Sequence, residues 1–393
     1  MPPTITFWGV LASPFQLKMQ AIADACRLEW RRFPAQANLA EAWMTLLRLR
    51  LDGQLGRIRR FGGFTPGLDE YPAVPYYRID GGPFYYDSSD FAAHLASVEP
   101  RAAALIPDDP AMAFVVRLVD EAFDEWGLYM VHHNRWVTSA RTNRMAADLV
   151  VEMGSLVPPF SREKMRRRMA ARQTRRCAYL FSVAPAGDGT DLPPALRAPA
   201  REGFPPTHEL LDASWRDYLA AMESVLVQQP YLLGGRFTLA DASAYGQLAM
   251  NLPDGRAAEL LEQLAPRTYA WLAHIRDGEH HRAQGSLELT EALRPLLDCI
   301  RETFVPLMRQ NAAAFRPDAP RTNEAAFDAG EQLYDGQLMG HPFRAVCKTF
   351  QVRVWRDLCR LWGQLDDGSR RRLAALRIDG DWFTAGGNSG ISG

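Results

Sequence analysis

TITFWGVLASPFQLK, Thr4 to Lys18, decides how the rest of the chain is read. Ile5 to Val10 is a short apolar and aromatic run suited to a buried strand, and Leu17, Ile22, Ala25 and Leu28 then recur at roughly helical spacing. Between these runs, Ser13, Pro14 and Gln16 have the form of an N-cap, an N1 proline and a capping-box glutamine. A strand therefore runs into a helix through a short loop. Leu28 to Phe33 returns as a second strand, giving a βαβ unit with parallel strands and a right-handed crossover.

Working outward, Leu39 to Arg60 reads as mostly helical. Val74 to Ile79 and Pro83 to Tyr86 flank Asp80-Gly81-Gly82 in the pattern of a hairpin, and Ser88 to Ser97 closes the unit as a helix. The order βαβ, helix, ββ, α is that of a thioredoxin-like domain. Beyond Pro100 the strand signal nearly vanishes and amphipathic helices such as Met112 to Val131 and Thr207 to Leu226 take over. Val183 to Pro206, crowded with Pro, Gly and Asp, reads as a long loop, and further helical segments run from about Leu287 to Leu376. The Gly/Ser-rich end, Thr384 to Gly393, reads as disordered. The expected fold class is α+β: an N-terminal thioredoxin-like βαβ-α-ββα domain, then an all-α C-terminal domain with an insertion and a helical extension.

Composition sets the bounds. A chain of 393 residues, 47% hydrophobic and 23% charged, is ordinary globular material and long enough for two or three compact units. Forty-five basic against forty-six acidic side chains leave a formal charge of -1, which points to neither nucleic acid nor an anionic membrane. The five cysteines show no CxxC spacing, which argues against a disulfide framework or a structural zinc and for a reducing cytoplasm. No stretch reaches eighteen uninterrupted apolar residues and no leader is evident, so a soluble, non-exported protein is expected.

Four local patterns occur in order along the chain. SPFQLK, Ser13 to Lys18, follows the first strand; Ala73-Val74-Pro75 precedes the third; Asp87-Ser88-Ser89-Asp90-Phe91 through Leu95 opens the next helix; and YLLGGRFTLADASAYGQL spans Tyr231 to Leu248. Together, with LIPDDP at Leu105 to Pro110 as an interdomain connection, they resemble the glutathione transferase superfamily. The resemblance implies that Ser13 is the active-site residue at the start of the first helix. It implies that Pro75 is cis and that the Val74 backbone pairs with the cysteinyl part of glutathione, while Asp87 and Ser88 hold the γ-glutamyl end. It further implies glutathione as co-substrate and a homodimer. The matches anchor residues 4 to 110 and about 207 to 285, so the chain resembles a longer member. The implied division is a glutathione-binding domain over 1–98, a helical domain over 103–286 with an insertion near 135–206, and a helical extension over 287–380.

Glutathione chemistry needs a thiolate, because the thiol is a poor nucleophile. A helix N-terminus stabilises an anion by about 0.3 to 1 kcal/mol, up to about 2 when partly buried, and a serine hydroxyl there donates a further bond. The same Ser-Pro pair starts many helices that do nothing more, and Asp87-Ser88 suits helix capping as well as binding. Serine in place of cysteine argues against thiol-disulfide exchange, since it forms no mixed disulfide.

Thr238 and Asp241 form a T-x-x-D capping box, a folding feature. Asp120, Glu121, Asp124 and Glu125 precede His132 and His133 on one helix; without ExxH spacing they read as a solvated face, with no metal site expected. On that helix Trp126, Tyr129 and His133 read as the wall of a pocket for an apolar second substrate. Arg162 to Arg176, REKMRRRMAARQTRR, lacks interleaved aromatics and reads as a solvated helix or subunit contact. The expected function is attack of an activated glutathione thiolate on a small apolar electrophile. The alternative is a non-catalytic binding or scaffold protein of the same fold.

Overall fold

The computed structural model describes residues 2–69 and 74–383. Ala73 and the tail from Thr384 to Gly393 lie outside the described residues. The chain begins with strand β1 (Ile5–Trp8), helix α1 (Pro14–Ala25), strand β2 (Trp30–Phe33) and helix α2 (Leu39–Gln54). Strands β3 (Arg59–Arg60), β4 (Tyr76–Ile79) and β5 (Tyr85–Tyr86) follow, then helix α3 (Ser88–Val98). They form one sheet in the order β2-β1-β4-β5-β3. β1 pairs in parallel with β2, Ile5 opposite Trp30, and antiparallel with β4, Ile5 opposite Ile79. β5 runs antiparallel to β4 and parallel to β3.

Alternation along the strands sends side chains to opposite faces. Ile5, Phe7 and Tyr77, all at 0% exposure, meet Phe91 of α3 on one face, with Phe7 and Phe91 edge to face at 5.5 Å. Trp8, Phe33 and Tyr86 point to the other face, where α2 supplies Leu49. α2 opens with the capping box Asn38–Glu41 and ends at Gln54, short of the span read from sequence, because the glycines at 53 and 56 break it and the chain re-enters the sheet as β3. Its outer side exposes Leu39, Trp43, Met44, Leu47, Leu51 and Leu55.

The remainder is mostly helical: α4 (Pro110–Ala122), α5 (Leu128–His133), α6 (Met145–Glu152), α7 (Arg162–Arg176), α8 (His208–Gln228), α9 (Leu239–Ala249), α10 (Gly255–Leu264) and α11 (Pro266–Arg276). α4 and α5 form one run, joined by a π turn at Phe123–Gly127. The span 183–206 carries only a single 3-10 turn, Pro194–Leu196, in keeping with a long loop. α9 lies against α1 at Gly246, where a β-carbon would collide with the Pro14 carbonyl and with Lys18.

The C-terminal part holds α12 (Arg294–Glu302), α13 (Phe304–Ala314), α14 (Asn323–Ala329), α15 (Thr349–Gln364) and α16 (Asp367–Ala375). It also holds a hairpin that the helical reading missed: β6 (Leu333–Leu338) and β7 (His341–Val346), paired antiparallel with Tyr334 opposite Ala345. Leu338, Phe343 and Val346 are its buried residues. Asp335-Gly336 and Pro342 inside these short strands obscure the alternation that would reveal them. α12, α15 and α16 pack on α4, where Phe114 meets Trp362 at 5.5 Å and Phe383 at 5.2 Å. One apolar core thus runs from β1 through α4, α8 and α9 into the extension.

Candidate active site

Ser13 is the N-cap of α1, with extended backbone (φ -95°, ψ 124°) and Pro14 at N1. Its carbonyl accepts from the amides of Gln16 and Leu17, which starts the helix, while its side chain makes no capping bond. The capping box expected of Gln16 does not form. Its side chain is fully buried instead, with both amide atoms lacking a partner among the described residues. It fills the space beside Gly9, where any β-carbon would strike it and Pro75. The loop before Ser13 is pinned from the helical side: Leu11 N–H donates to Glu152 Oε2 at 3.0 Å, and the Ala12 carbonyl accepts from Arg135 Nη1 at 3.1 Å. Arg135 is itself buried and paired with Asp254 at 2.7 Å.

The second loop carries the Val74–Pro75 peptide, which is cis, with Val74 half exposed. Phe33–Pro34 is also cis and was not singled out in the sequence. At the third loop Asp87 takes a positive φ of 79° and caps α3, accepting from the amides of Ser89 and Asp90 at 3.1 Å each. Ser88 is the buried first residue of that helix. Burial would raise the Asp87 carboxyl, but Arg353, Arg60 and Arg117 outweigh it and hold the group below its ordinary value. The Arg60 Nε lies 3.1 Å and the Arg353 Nη2 3.5 Å from Asp87 Oδ2. Asp69 bridges the same two guanidiniums at 2.9 Å each. Arg353 belongs to α15, so the C-terminal part of the chain reaches the end of the sheet where the three loops meet.

Beneath the loops, Lys18 is 1% exposed and its Nζ donates to Asp120 and Asp124, both at 2.6 Å, and to Ser89 Oγ at 2.8 Å. Burial pulls the ammonium down, yet the two carboxylates keep it above its ordinary value. Asp120 also accepts from Ser243 of α9. Arg117 completes the group with Asp120 at 3.2 Å and Glu121 at 2.7 Å. The acidic run on α4 is therefore not the solvated face expected of it. A buried cation on α1 needs buried anions, and these carboxylates answer it across the fold. Desolvation pushes the Asp124 carboxyl up to about 6 and Glu121 up to about 7. Among the described residues no group of three or more His, Cys, Asp or Glu side chains is placed to hold a metal ion.

The aromatic wall expected of Trp126, Tyr129 and His133 is a correction of the same kind. Trp126 is fully buried and donates from Nε1 to Ser214 at 2.7 Å. Tyr129 stacks on Phe181 at 5.3 Å, and its hydroxyl takes Lys348 Nζ at 2.6 Å and Gln351 at 2.9 Å. His133 Nδ1 meets Ser182 Oγ at 2.8 Å. The reason is physical cover: Phe181 and Ser182 from the segment after α7, and Lys348 and Gln351 at the start of α15, lie over this face. α7 is solvated along nearly its whole length, with Arg166 and Arg167 on Glu163 and Arg176 on Glu324.

Lys18, Arg60, Asp69, Arg135 and Arg353 were not singled out in the sequence. Lys18 stood inside the quoted SPFQLK pattern, and a lysine on an apolar helix face was the one available signal. The others act across long sequence separations that no local pattern reports.

The family model described as "Glutathione S-transferase, C-terminal domain" matches residues 194–274. No curated protein matches the chain. Among solved structures, the chain is similar to a glutathione S-transferase from Rhodospirillum rubrum F11, at 14% identity and a TM-score of 0.37 over 75% of this chain and 91% of that one. It is also similar to a maleylacetoacetate isomerase from Anaeromyxobacter dehalogenans 2CP-1 with bound GSH in its active site, at 15% identity and a TM-score of 0.30 over 73% of this chain and 99% of that one. The matched segment lies in the helical part that follows the five-stranded α+β unit, so over residues 194–274 the chain is similar to the C-terminal domain of glutathione S-transferases.

Proposed function

We propose that the chain is a glutathione transferase-like enzyme that activates the glutathione thiol at Ser13 and directs it at a small apolar electrophile. One observation carries the reading. A Ser13 hydroxyl that makes no capping bond at the start of α1, the cis Val74–Pro75 peptide and the Asp87–Ser88 start of α3 lie at one end of the sheet, with the Gln16 amide, unpartnered among the described residues, between the first two. α1 and α3 turn their positive dipole ends there, an environment that favours an anionic sulfur and a γ-glutamyl carboxylate, although Asp87 already takes the Ser89 and Asp90 amides of α3. The Ser13 hydroxyl donates to the sulfur and lowers its proton affinity, so the thiol releases its proton to solvent water and the thiolate remains. The sulfur lone pair then forms the bond to the electrophilic carbon, and the displaced group leaves with the bonding pair.

The domain division at 1–98, 103–286 and 287–380 belongs to this proposal, as do a cytoplasmic setting and a homodimer, which sedimentation would check. Among the described residues, no helix is long and apolar enough to cross a membrane.

A non-catalytic reading has its own support. Asp87 is already engaged by Arg60 and Arg353, and the face of Trp126, Tyr129 and His133 is covered by protein. Millimolar glutathione separates the two. Ligand at about a hundred times its dissociation constant adds about 2.7 kcal/mol of stability, visible as a raised melting temperature. The enzyme reading further expects Ser13→Ala to depress thiolate absorbance and turnover while leaving the melting shift largely intact. No shift at all speaks for the scaffold.

A further inference from the structure

We propose that the outer face of α7, with the apolar side chains beside its first turn, docks on an anionic lipid surface. α7 carries eight basic side chains and one acidic, a net charge of +7 on a chain whose formal charge is -1. The near-neutral total conceals one strongly cationic helix. Met169 and Ala170 pack α7 on the cluster of Trp136, Met145, Leu149 and Cys177, and Thr174 is buried. That fixes which side of the helix is turned outward.

The cations of α7 divide by what they already hold. Arg166 and Arg167 share Glu163, each at 2.7 Å, and Arg176 pairs with Glu324 at 3.0 Å. Arg162 Nε donates to the Val157 carbonyl at 3.4 Å, and Arg175 Nε to the Ala171 carbonyl of its own helix at 3.2 Å. Lys164, Arg168 and Arg172 are exposed and make no ion pair or hydrogen bond among the described residues. Their four-residue spacing sets them in one row, about 6 Å apart along the axis, and Arg175, three residues further on, falls in the same row. Four charges of one sign, none answered by a carboxylate of this chain, call for an anionic partner.

A second observation decides what kind of anion. Phe160, 90% exposed, stands in the 3-10 turn Pro159–Ser161 that leads into α7, and Val151, 75% exposed, lies near the end of α6. A β-carbon on Gly154 would lie 2.9 Å from the Val151 carbonyl and 3.6 Å from Arg162 Nη2, so the end of α6 adjoins the start of α7. Apolar anchors beside a basic row suit a bilayer interface, where cations meet the headgroup phosphates and apolar side chains enter the acyl boundary. A nucleic acid would use the same charges, but stacking of bases needs aromatic rings among the cations; α7 has none, and Val151 has no ring to offer. The proposal does not depend on the glutathione reading.

The test is co-sedimentation of the full chain with extruded vesicles of about 70:30 phosphatidylcholine to phosphatidylserine, and with pure phosphatidylcholine, at about 0.1 M salt. The anionic vesicles should bind at least about tenfold more tightly, and about 1 M salt, where the screening length is about 3 Å, should release the chain. The Lys164→Gln/Arg168→Gln/Arg172→Gln variant should bind them about a hundredfold more weakly, at roughly fivefold per cation, with an unchanged melting temperature to verify folding. Phe160→Ser should weaken binding by about tenfold. Equal binding to both vesicle types, binding to neither, or binding untouched by the triple substitution would overturn the proposal. So would a Phe160→Ser variant that binds as before, since the apolar anchor carries the lipid assignment. A DNA duplex of about 20 base pairs that displaces the chain from the vesicles at equal phosphate concentration would assign the face to nucleic acid and overturn it too.

Discussion

The two faces of the N-terminal sheet are finished differently. On the face toward α1 and α3, Ile5, Phe7, Tyr77 and Phe91 are wholly buried, and α9 closes against α1 at Gly246. The charged groups beneath this layer are paired to one another. On the face toward α2 a cavity of about 1020 Å³ remains between Trp8 and Leu49, lined by Arg50 and Arg59, which make no ion pair among the described residues, and an exposed apolar row runs along the outside of the helix. One face is anchored into the rest of the protein by burial and charge. The other is left open.

The largest expected effect breaks the anchored face. Lys18→Met leaves Asp124 buried without its cation and Asp120 with Arg117 alone, and should cost about 3 to 5 kcal/mol in chemical denaturation. Arg50→Met on the open face should change stability by less than about 0.5 kcal/mol. Comparable losses from the two would erase the distinction. Truncation sharpens it next: Ile5→Ala should fall in the upper part of the about 2 to 5 kcal/mol range for such changes, and Leu49→Ala in the lower part, because the second site already borders a cavity.

A pH profile reaches the anchored side from another direction. Asp241 caps α9, its carboxylate accepting from the amides of Leu232 at 2.8 Å and Thr238 at 2.9 Å. Desolvation raises it from 3.8 to about 6 in the folded chain. The folded state then holds a proton that the unfolded state has released, so stability falls as pH rises from about 4 to about 6, by up to about 3 kcal/mol. Asp241→Asn should lose this slope, which denaturation midpoints across the window would show. Smallest of all is Ser13→Ala. Because the Ser13 side chain makes no capping bond, the change should alter stability by less than about 0.5 kcal/mol instead of the roughly 1 kcal/mol of a working cap.

The anchored face was also the more legible one. The apolar run from Ile5 to Val10, the Ser13-Pro14 helix start, the glycine turn at Gly81 and the Thr238–Asp241 box are local signals, and local signals survive in a single sequence. What escaped was long-range. Lys18 finds Asp120 across 102 positions, so the acidic run on α4 looked solvated when read alone. Trp126 and Tyr129 looked like a pocket wall because nothing nearby reveals that Phe181 and Lys348 come to cover them. The hairpin at 333–346 was hidden by glycine and proline within short strands. Arg353 was unreadable for a related reason: its partners Asp69 and Asp87 lie at the far end of the chain.

A crystal structure with glutathione tests the account most directly. It predicts the sulfur within hydrogen-bond distance of Ser13 Oγ, main-chain pairing at Val74 and the γ-glutamyl carboxylate at the start of α3 beside Ser88. Glutathione seated in the cavity under α2, or absent from a saturated crystal, would contradict it.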